Sequence, residues 1–330
     1  MIQSYLADDI GCNHVPATRF EGACATGTIA VRDAAIQVAA GVYDIMLVAG
    51  VEKATAMDTP LATRTFAMFS DSRYENPAGF TFPAVFAMLC HLYASHYDIP
   101  LETLKEQMAQ VSVQSHYYGA RNPNAQFQKE LTVEKVLNGP MVTTPLQLMD
   151  CCPFTDGAAA VILASEEMAR KLTDTPVWIA GTGQASSGHL ASQSRYLPRI
   201  RARELSVKQA YKMAGIGPED VDICELHDCF SIASIIAAES LGFAEFGKAG
   251  QLWETGETKI DGKIPINISG GLKSKGHPIG ATGVSQVYEV SRQLRGDLAD
   301  QGRQVDGAKV GLVDTLGGDG VIVNLVLKRD

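Results

Sequence analysis

The sequence predicts an α/β protein with two similar βαβ-type halves and a helical insertion in the first half. Three observations lead to this prediction. Segments with apolar residues at helical spacing alternate with short continuous apolar runs, which is the pattern of buried strands between helices. The triplet Ala-Thr-Gly occurs at 25–27 and at 281–283, each time where a helix is predicted to begin. A long stretch with two amphipathic helices and loop-like segments interrupts the first half.

Length and composition limit the class of protein. The 330 residues are enough for about two domains, and 46% apolar with 20% charged residues is typical of a soluble globular chain. The formal net charge of -9 argues against a nucleic-acid partner and an anionic membrane surface, since both select basic faces. The start MIQSYLADDI lacks the basic region of a secretory signal, and no apolar run is long enough for a membrane span. Seven cysteines without disulfide-like spacing favour a reducing, cytoplasmic setting.

The first half begins with a predicted helix over 25–41, which is rich in alanine and ends at Gly41, a residue type preferred just after a helix. The apolar run at 44–50 predicts a buried strand, so the two form a turn–helix–strand unit of the kind that builds parallel sheets. A helical insertion then covers about 53–150 and is expected to cap the sheet rather than to join it. Its two amphipathic helices are predicted at 81–99 and 101–120.

Strand character returns after the insertion, and the second half repeats the order of the first. The remaining strands are predicted at 158–165, 177–183, 221–227 and 264–269, and as two strands around a Gly-rich turn within 310–327. The helices among them are predicted at 205–215, 230–242 and 283–294. We therefore place one half at 1–185, including the insertion, and the other half at 186–330.

The stretch 21–27, EGACATG, surrounds Cys24 with residues that carry almost no side chain. Cys24 comes directly before a predicted helix, where free N–H groups and the helix dipole favour a negative charge. A thiol in such a place can have its pKa lowered from about 8.5 toward about 3.5–7.5, the range of reactive cysteines. The small neighbours would let a substrate carbonyl approach the sulfur. The alternative is an inert cysteine that packs as a small hydrophobe, and spacing alone does not decide between the two.

The second candidate cluster is the segment 225–230, ELHDCF, at the end of a predicted strand. Side chains alternate along a strand, so His227 and Cys229 would share a face if the extended geometry continues. The carboxyl ends of strands are where α/β folds place their sites. Two alternatives remain. Cys224, His227 and Cys229 are candidate zinc ligands, although no second CxxC or HxxxH completes a set, and His227 could instead be a satisfied, partly buried histidine.

The third cluster is the glycine-rich segment 270–283, GGLKSKGHPIGATG, which contains His277. His277 stands where a phosphate-binding P-loop requires lysine, so the segment does not match that motif. Five glycines around one histidine indicate a backbone packed close to a ligand, with the imidazole directed at it. The alternative is a Gly-rich hairpin with an exposed histidine. The segment 181–188, GTGQASSG, also fails as a dinucleotide fingerprint, because Ser186 replaces a glycine and no helix clearly follows.

Taken together and in this order, EGACATG, HDCF and GGLKSKGHPIGATG closely resemble the motifs of the thiolase superfamily. HDCF, in place of an asparagine-containing motif, is similar to the sterol-carrier-protein-2-type and archaeal branch. The resemblance runs over essentially the whole chain and includes the segment 149–165, MDCCPFTDGAAAVILAS. It implies a thiolase fold with αβαβα layers. It also implies an acyltransferase that joins or splits acyl chains carried on coenzyme A, by Claisen condensation or thiolytic cleavage.

The resemblance implies a role for each candidate residue. Cys24 would be the nucleophile that carries the acyl group, and His277 would hold the Cys24 thiolate and contribute to oxyanion binding. Cys229 would be the acid/base for the α-proton of the second thioester, and His227 would supply an oxyanion donor. The backbone N–H of Cys24, with one from the 316–318 turn, would form the second oxyanion site.

Two departures from the family concern the ends of the chain. The C-terminal CxG loop that supplies the base in many thiolases reads VDTLGG at 313–318 here, with no cysteine and with Asp314 in an unassigned role. In the family a strand, a helix and a second strand precede the nucleophilic cysteine, whereas no such elements are predicted before Asp9. We therefore expect the first strands of the N-terminal half to be missing, which would expose unpaired sheet edges.

Three functions remain open at this point: an acetyl-CoA acetyltransferase or 3-ketoacyl-CoA thiolase, a CoA-linked retro-aldol lyase, and a non-catalytic thiolase-like subunit. The presence of Cys24 counts against the lyase, because such relatives lack the nucleophile. Acyl-CoA and CoA are the expected ligands, as substrates, with no permanently bound cofactor and no metal. By resemblance we expect a homodimer or tetramer and a small zinc-ribbon/OB-fold partner protein. Chain-length selection is expected in the insertion, where five aromatic residues either line a pocket or form its core: Phe66, Phe69, Phe80, Phe82 and Phe86.

Overall fold

Helices and strands alternate in the computed structural model of the chain, which describes residues 2–71, 73–188, 193, 195–318 and 320–330. The helices are α1 (Ile2–Asp9), α2 (Thr26–Ala39), α3 (Thr59–Ala67), α4 (Phe82–His96), α5 (Leu101–Gly119), α6 (Val133–Leu137), α7 (Glu166–Leu172), α8 (Arg201–Ala214), α9 (Ser231–Ser240), α10 (Gly250–Thr255) and α11 (Ile279–Arg295). The strands are β1 (Ile45–Glu52), β2 (Met141–Thr143), β3 (Leu146–Gln147), β4 (Gly157–Ala164), β5 (Trp178–Ser186), β6 (Ile223–Glu225), β7 (Val310–Leu316) and β8 (Val321–Lys328). Among these described helices, none combines the length and apolar character needed to cross a bilayer.

The described strands form three sheets. In the first half, β1 and β4 pair antiparallel along their whole length, from Ile45 opposite Ala164 to Glu52 opposite Gly157. The second half holds a four-stranded sheet in the order β5-β8-β7-β6, in which β6 and β7 are parallel and the other pairs antiparallel. The short strands β2 and β3 pair within the insertion. The α/β class is therefore confirmed. Strand β6 ends just before His227, one of the candidate site residues.

Two predicted features of the sheets are wrong. The strand after α2 was expected in a parallel unit, yet within the described chain β1 pairs only with β4, antiparallel. Residues 2–44 contain no strand that could lie parallel beside it. The predicted strand at 264–269 is reduced to one parallel bridge between Ile266 and Cys224. Pro265 lacks an N–H, and Asn267 takes a left-handed φ of 53°, so the extended ladder cannot continue.

The centre of the molecule is the crossing of α2 and α11, which carry the two Ala-Thr-Gly triplets. The helix backbones touch at the glycines of these triplets. A Cβ on Gly27 would lie 2.8 Å from the Val284 nitrogen, and a Cβ on Gly283 would lie 2.0 Å from Thr28 Oγ1. The repeated triplet thus marks a point where two helices approach more closely than a side chain would allow. Because both helices begin near this crossing, the residues at their N-termini lie close together.

The insertion packs its helices α4 and α5 against α9, and two of its aromatic residues belong to packed clusters. Phe86 is 2% exposed and stacks on Phe230, with 4.4 Å between ring centroids. Phe66 is buried and stacks on Phe154 at 5.2 Å. The core interpretation of the insertion aromatics therefore holds for this pair.

The other insertion aromatics are less buried. Phe80 and Phe82 line a small cavity together with Gly318, which lies in the turn after β7. A Cβ on Gly318 would lie 2.6 Å from the Phe82 ring, so only glycine fits this approach without a shift. Phe69 is 37% exposed. Phe80 and Phe82 also pack against the core, and they connect the insertion to the C-terminal hairpin.

One face of the β1–β4 sheet is apolar and exposed. The side chains of Ile45, Leu47, Val51 and Ile162 alternate along the two strands, and each is between 46% and 68% exposed. The opposite face packs against α2 and α11. An apolar sheet face of this kind is typical of a surface that another element or molecule covers.

We predict that Gly283→Ala lowers the free energy of unfolding by about 1–3 kcal/mol, because the added methyl group must displace Thr28 or separate the two helices. Urea denaturation followed by circular dichroism measures this change. Tyr288→Ala, on the exposed side of α11, is the control and should stay close to the parent. A G283A protein as stable as the parent would contradict the close crossing.

Candidate active site

Cys24 lies in a short 3₁₀ turn, Ala23–Ala25, which leads directly into α2. The turn is strained, because Ala23 has a left-handed φ of 49°. Glu21 supports it by accepting a hydrogen bond from the Ala23 N–H at 2.8 Å, and Thr26 Oγ1 accepts one from the Gly22 N–H at 2.9 Å. The two alanines beside Cys24 are buried, whereas Cys24 itself is partly exposed. The thiol is therefore presented at a helix N-terminus, as the sequence predicts.

His277 is held from three sides. Its backbone N–H donates to Thr155 Oγ1 at 2.9 Å, and its Nδ1 lies 2.7 Å from Thr282 Oγ1 in the first turn of α11. Thr282 Oγ1 donates its own hydrogen to the Pro278 carbonyl, so it accepts from His277 Nδ1–H. Nε2 is then the acceptor nitrogen, and it lies 3.2 Å from Cys24 Sγ. This arrangement lets His277 take the proton of the thiol.

His227 follows the end of β6 and is 1% exposed. Its ring stands edge-on to the His277 ring, with 5.1 Å between centroids. A ring nitrogen of His227, a ring nitrogen of His277 and the sulfur of Cys24 lie within 4.8 Å of one another. His227 Nδ1 is buried and has no hydrogen-bond partner among the described residues. His227 thus joins the sulfur and the first imidazole in one compact group.

Cys229 lies two residues beyond His227 and is 7% exposed. Its carbonyl accepts a hydrogen bond from the Cys152 N–H at 2.9 Å, and the neighbouring Phe230 forms a bridge with Cys151. The four residues singled out in the sequence therefore converge: three lie in direct reach of one another, and Cys229 is close enough to Cys24 for their charges to interact.

The zinc alternative does not fit this geometry. Among the described residues, the group with metal-ligating spacing consists of Cys24, His227 and His277. Cys224 is buried within β6 and is not part of that group. Cys224, His227 and Cys229 therefore do not form a metal centre.

Burial controls the charge of both imidazoles. It lowers the pKa of His277 to about 4, with Asp228 opposing the shift. It also lowers the pKa of His227 well below the usual range, and the nearby His277 and Arg203 charges act in the same direction. Both rings are therefore neutral near pH 7, so each has one N–H donor and one acceptor nitrogen.

The thiol of Cys229 responds to burial in the opposite way. Burial raises its pKa well above the usual range, and Cys24 and Asp228 raise it further. Arg203 and Lys273 lower the pKa of Cys229. Cys229 is thus protonated at rest, and its thiolate, once formed, is a strong base.

Three supporting residues were not found from the sequence. Thr282 lies five residues after His277, and only a helix that begins between them brings the two together. Arg203 belongs to a charged segment that looks solvent-exposed, yet it is fully buried. Lys273 is also buried. In the sequence, the glycines of its segment indicated a backbone close to a ligand and gave no role to the lysine.

Asp314, which replaces part of the CxG loop, has a clear role in the structure. Its carboxylate pairs with Arg203 Nε at 3.0 Å, both side chains being fully buried, and accepts a hydrogen bond from Asn324 Nδ2 at 3.0 Å. It also accepts from the His227 backbone N–H at 3.4 Å. In the following turn the Gly317 N–H donates to the Val321 carbonyl at 2.7 Å, so Gly317 is not the donor expected from the 316–318 turn for the second oxyanion site. Asp314 thus anchors the segment that carries His227.

Fold and site together define an α/β protein with a thiol at a helix N-terminus and two neutral imidazoles around it. Residues 1–167 match the family described as thiolase, N-terminal domain, and residues 147–325 match the thiolase C-terminal domain-like family. The chain belongs to the thiolase superfamily, in the sterol-carrier-protein-2-type and archaeal branch, and it is a thiolase with acyltransferase function.

Three similar proteins illustrate this membership. The acetyl-CoA acetyltransferase of Methanothermobacter thermautotrophicus is 46% identical over 319 residues, which cover 97% of this chain and 81% of the relative. Sterol carrier protein 2 of Bos taurus is 32% identical, over 99% of this chain and 61% of the relative. Among solved structures, the Ltp2-ChsH2(DUF35) aldolase superposes with a TM-score of 0.83 at 27% identity, over 99% of this chain and 84% of that chain.

We predict that Thr282→Val slows alkylation of Cys24 by iodoacetamide about tenfold near pH 7, because His277 loses the acceptor that fixes its tautomer. Peptide mapping after timed alkylation measures the rate at this cysteine. Thr282→Ser keeps the hydroxyl and should retain most of the parental rate. Equal rates in the valine and serine variants would show that the Thr282 contact does not orient the ring.

We also predict that the protein loses stability as the pH falls below about 6.5. In the unfolded chain a histidine binds a proton at that pH, whereas folded His277 stays neutral until about pH 4. The difference corresponds to about 3 kcal/mol at most, spread over this pH window. Urea denaturation between pH 7.5 and 4.5 measures the slope, which should be smaller in a His277→Asn variant. An unchanged slope would exclude a buried neutral His277.

Proposed function

We propose that the chain transfers an acetyl group between coenzyme A thioesters through an acetyl-Cys24 intermediate. The observation that carries this proposal is the 3.2 Å contact between Cys24 Sγ and the acceptor nitrogen of His277, at the N-terminus of α2. The acetyltransferase name of the 46% identical relative supports acetyl-CoA as the substrate. Coenzyme A thioesters act as substrates, with no permanently bound cofactor.

In the first half-reaction, His277 Nε2 takes the Cys24 proton, and the thiolate attacks the carbonyl carbon of acetyl-CoA. The bond between that carbon and the coenzyme A sulfur breaks, and the departing sulfur takes a proton from Cys229. Acetyl-Cys24, free coenzyme A, an imidazolium at His277 and a thiolate at Cys229 result. The raised pKa of Cys229 suits this sequence, because its thiolate is produced by the reaction rather than at rest.

In the second half-reaction, the Cys229 thiolate removes an α-proton from another acetyl-CoA. The carbanion attacks the carbonyl carbon of acetyl-Cys24, the carbon–sulfur bond breaks, and the Cys24 thiolate takes its proton back from His277. The donors for the oxygens that become negative in each step are an N–H of His227 and the Nε2–H that His277 gains from Cys24. The reverse sequence cleaves a 3-ketoacyl-CoA with free coenzyme A.

The retro-aldol lyase is the second candidate, because the similar solved structure with 27% identity is an aldolase. A retro-aldol reaction needs a base and an oxyanion site but no acylated thiol. The presented Cys24, with an acceptor nitrogen beside it, favours the acyltransferase. A non-catalytic subunit would have no need for this pairing.

The setting of the protein is also part of the proposal. We infer a cytoplasmic enzyme of lipid metabolism that assembles as a homodimer or tetramer, and the exposed apolar face of the β1–β4 sheet supports such assembly. The similarity to the Ltp2-ChsH2(DUF35) aldolase supports a small zinc-ribbon/OB-fold partner. We also infer that the insertion selects the length of the acyl chain.

Incubation with acetyl-CoA should add one acetyl group to Cys24, and intact-protein mass spectrometry with peptide mapping detects it. Cys24→Ala should abolish the adduct and thiolysis of acetoacetyl-CoA, whereas Cys90→Ala, at a buried cysteine on α4, should leave the adduct in place. Cleavage of a β-hydroxyacyl-CoA without any covalent adduct would support the lyase instead. Full thiolase turnover in C24A would overturn the proposal.

A further inference from the structure

Beyond a single bridge between Cys224 and Ile266, the two loops that carry the proposed catalytic residues are joined by side chains. The segment 225–229 follows the three-residue strand β6, and the segment 267–277 contains a single turn of π-helix, Gly271–Lys275. Asn267 bonds the backbone of Leu226 in both directions, at 2.8 and 3.1 Å. His227 and Cys229 lie just beyond this point, where Asp314 accepts the His227 N–H and the Cys152 N–H donates to the Cys229 carbonyl.

The contact that joins these residues to the segment of His277 is made by Asp228, which lies between His227 and Cys229. Its carboxylate accepts the Leu272 N–H at 2.7 Å and pairs with Lys273 Nζ at 3.1 Å. Lys273 Nζ also lies 3.4 Å from the Asp228 carbonyl, so one ammonium group holds both the side chain and the backbone of this residue. Both charged side chains are fully buried.

The fit around the Asp228 carboxylate leaves little freedom. A Cβ on Gly271 would lie 2.2 Å from Asp228 Oδ2, and Gly271 also has a left-handed φ of 57°. The π-helical turn therefore closes directly over the carboxylate. Because His277 follows the same turn, the contacts of Asp228 fix the position of the 227–229 segment relative to the segment that carries His277.

Lys273 also contributes a charge near Cys229. The ionisable groups whose charges act on Cys229 come from four elements, and Cys152 faces it across the 151–230 bridge. Cys24 and Asp228 raise the pKa of the Cys229 thiol, while Arg203 and Lys273 lower it. The pKa shifts of the two imidazoles come mainly from burial, with contributions from His277 and Arg203 at His227 and from Asp228 at His277.

We propose that Lys273 is a positioning residue for the carbon–carbon bond-forming half-reaction, which it serves by holding Asp228 and so placing Cys229 against the acetylated thiol. This inference rests on the proposed function. Its distinctive consequence is selectivity between the proton transfers of Cys229 and the activation of Cys24. Loss of Lys273 impairs removal of the α-proton by Cys229 far more than alkylation of Cys24 by iodoacetamide, which needs His277 but no proton from Cys229.

The test measures the two functions separately in Lys273→Met. Alkylation of Cys24 by iodoacetamide is followed by timed peptide mapping, exchange of the acetyl-CoA α-protons with D₂O is followed by NMR, and acetyl-Cys24 in the parent is detected by mass spectrometry. We expect exchange to fall about 10- to 100-fold, the range for loss of a hydrogen bond to a buried charge, with alkylation within about threefold of the parent. Lys208→Met, at an exposed position on α8, is the matched control and should change neither rate.

The pH dependence of exchange provides an independent readout. Removing the ammonium in K273M should move the half-maximal pH of exchange upward, and removing the carboxylate in Asp228→Asn should move it downward. Lys273→Arg keeps the charge and should restore part of the exchange rate. If either single variant fails to fold, the double variant D228N/K273M removes both buried charges together and should show the same selective loss of exchange.

Equal losses of Cys24 alkylation and exchange in K273M, or pH shifts in the same direction in both single variants, would overturn the positioning role. Absence of acetyl-Cys24 in the parent protein would instead refute the proposed function. The two failures are therefore distinguishable in one set of measurements.

Discussion

The contact between Cys24 Sγ and His277 Nε2 depends on how closely two helices cross at the centre of the molecule. Cys24 leads into α2, and His277 lies just before α11. If either Gly27 or Gly283 carried a side chain, the helices would have to separate, and the sulfur would move away from the imidazole. The close crossing of the two helix backbones thus brings two residues that lie 253 positions apart in the sequence within hydrogen-bond distance.

The segments around this pair have little regular structure of their own. Strand β6 has three residues, and the expected strand after Lys263 is one bridge, so few ladder hydrogen bonds hold the site. Buried ion pairs take their place: Arg203 with Asp314 on one side of His227, and Lys273 with Asp228 on the other. Such pairs add little net stability, because desolvation offsets attraction, but breaking one leaves an isolated buried charge. They therefore restrict geometry more than they stabilise the fold.

The same burial that makes these pairs necessary sets the protonation states of the site. Two imidazoles that would be near half-charged in water at pH 6.5 are neutral here, and the thiol of Cys229 is protonated. Proton transfer among such groups creates charge where little water can stabilise it. Each new charge must then be stabilised by a fixed N–H or by a neighbouring opposite charge, which explains why orientation by Thr282 and Asp314 matters.

The sequence by itself determined the α/β class, most of the helices and strands, and the four residues that gather at the site. Local signals were sufficient for these predictions. Helical spacing and short apolar runs indicated the helices and strands, and the small residues around Cys24 indicated an accessible thiol. Three distinct motifs in a fixed order also carried information that no single motif contained, which is why the family was recognised although each cluster alone left alternatives open.

The tertiary structure decided the rest, because the deciding contacts join residues far apart in the chain. Strand direction for β1 was set by its partner β4 and not by the helix beside it. The strand predicted after Lys263 is broken by Pro265 and by Asn267, which has a left-handed backbone conformation. The amino-acid composition of the segment does not reveal that conformation. Arg203 and Lys273 look like surface residues in the sequence, and only the positions of Asp314 and Asp228 explain their burial. A charge can be kept inside a protein only beside its partner, and which partner is near is a property of the folded chain alone.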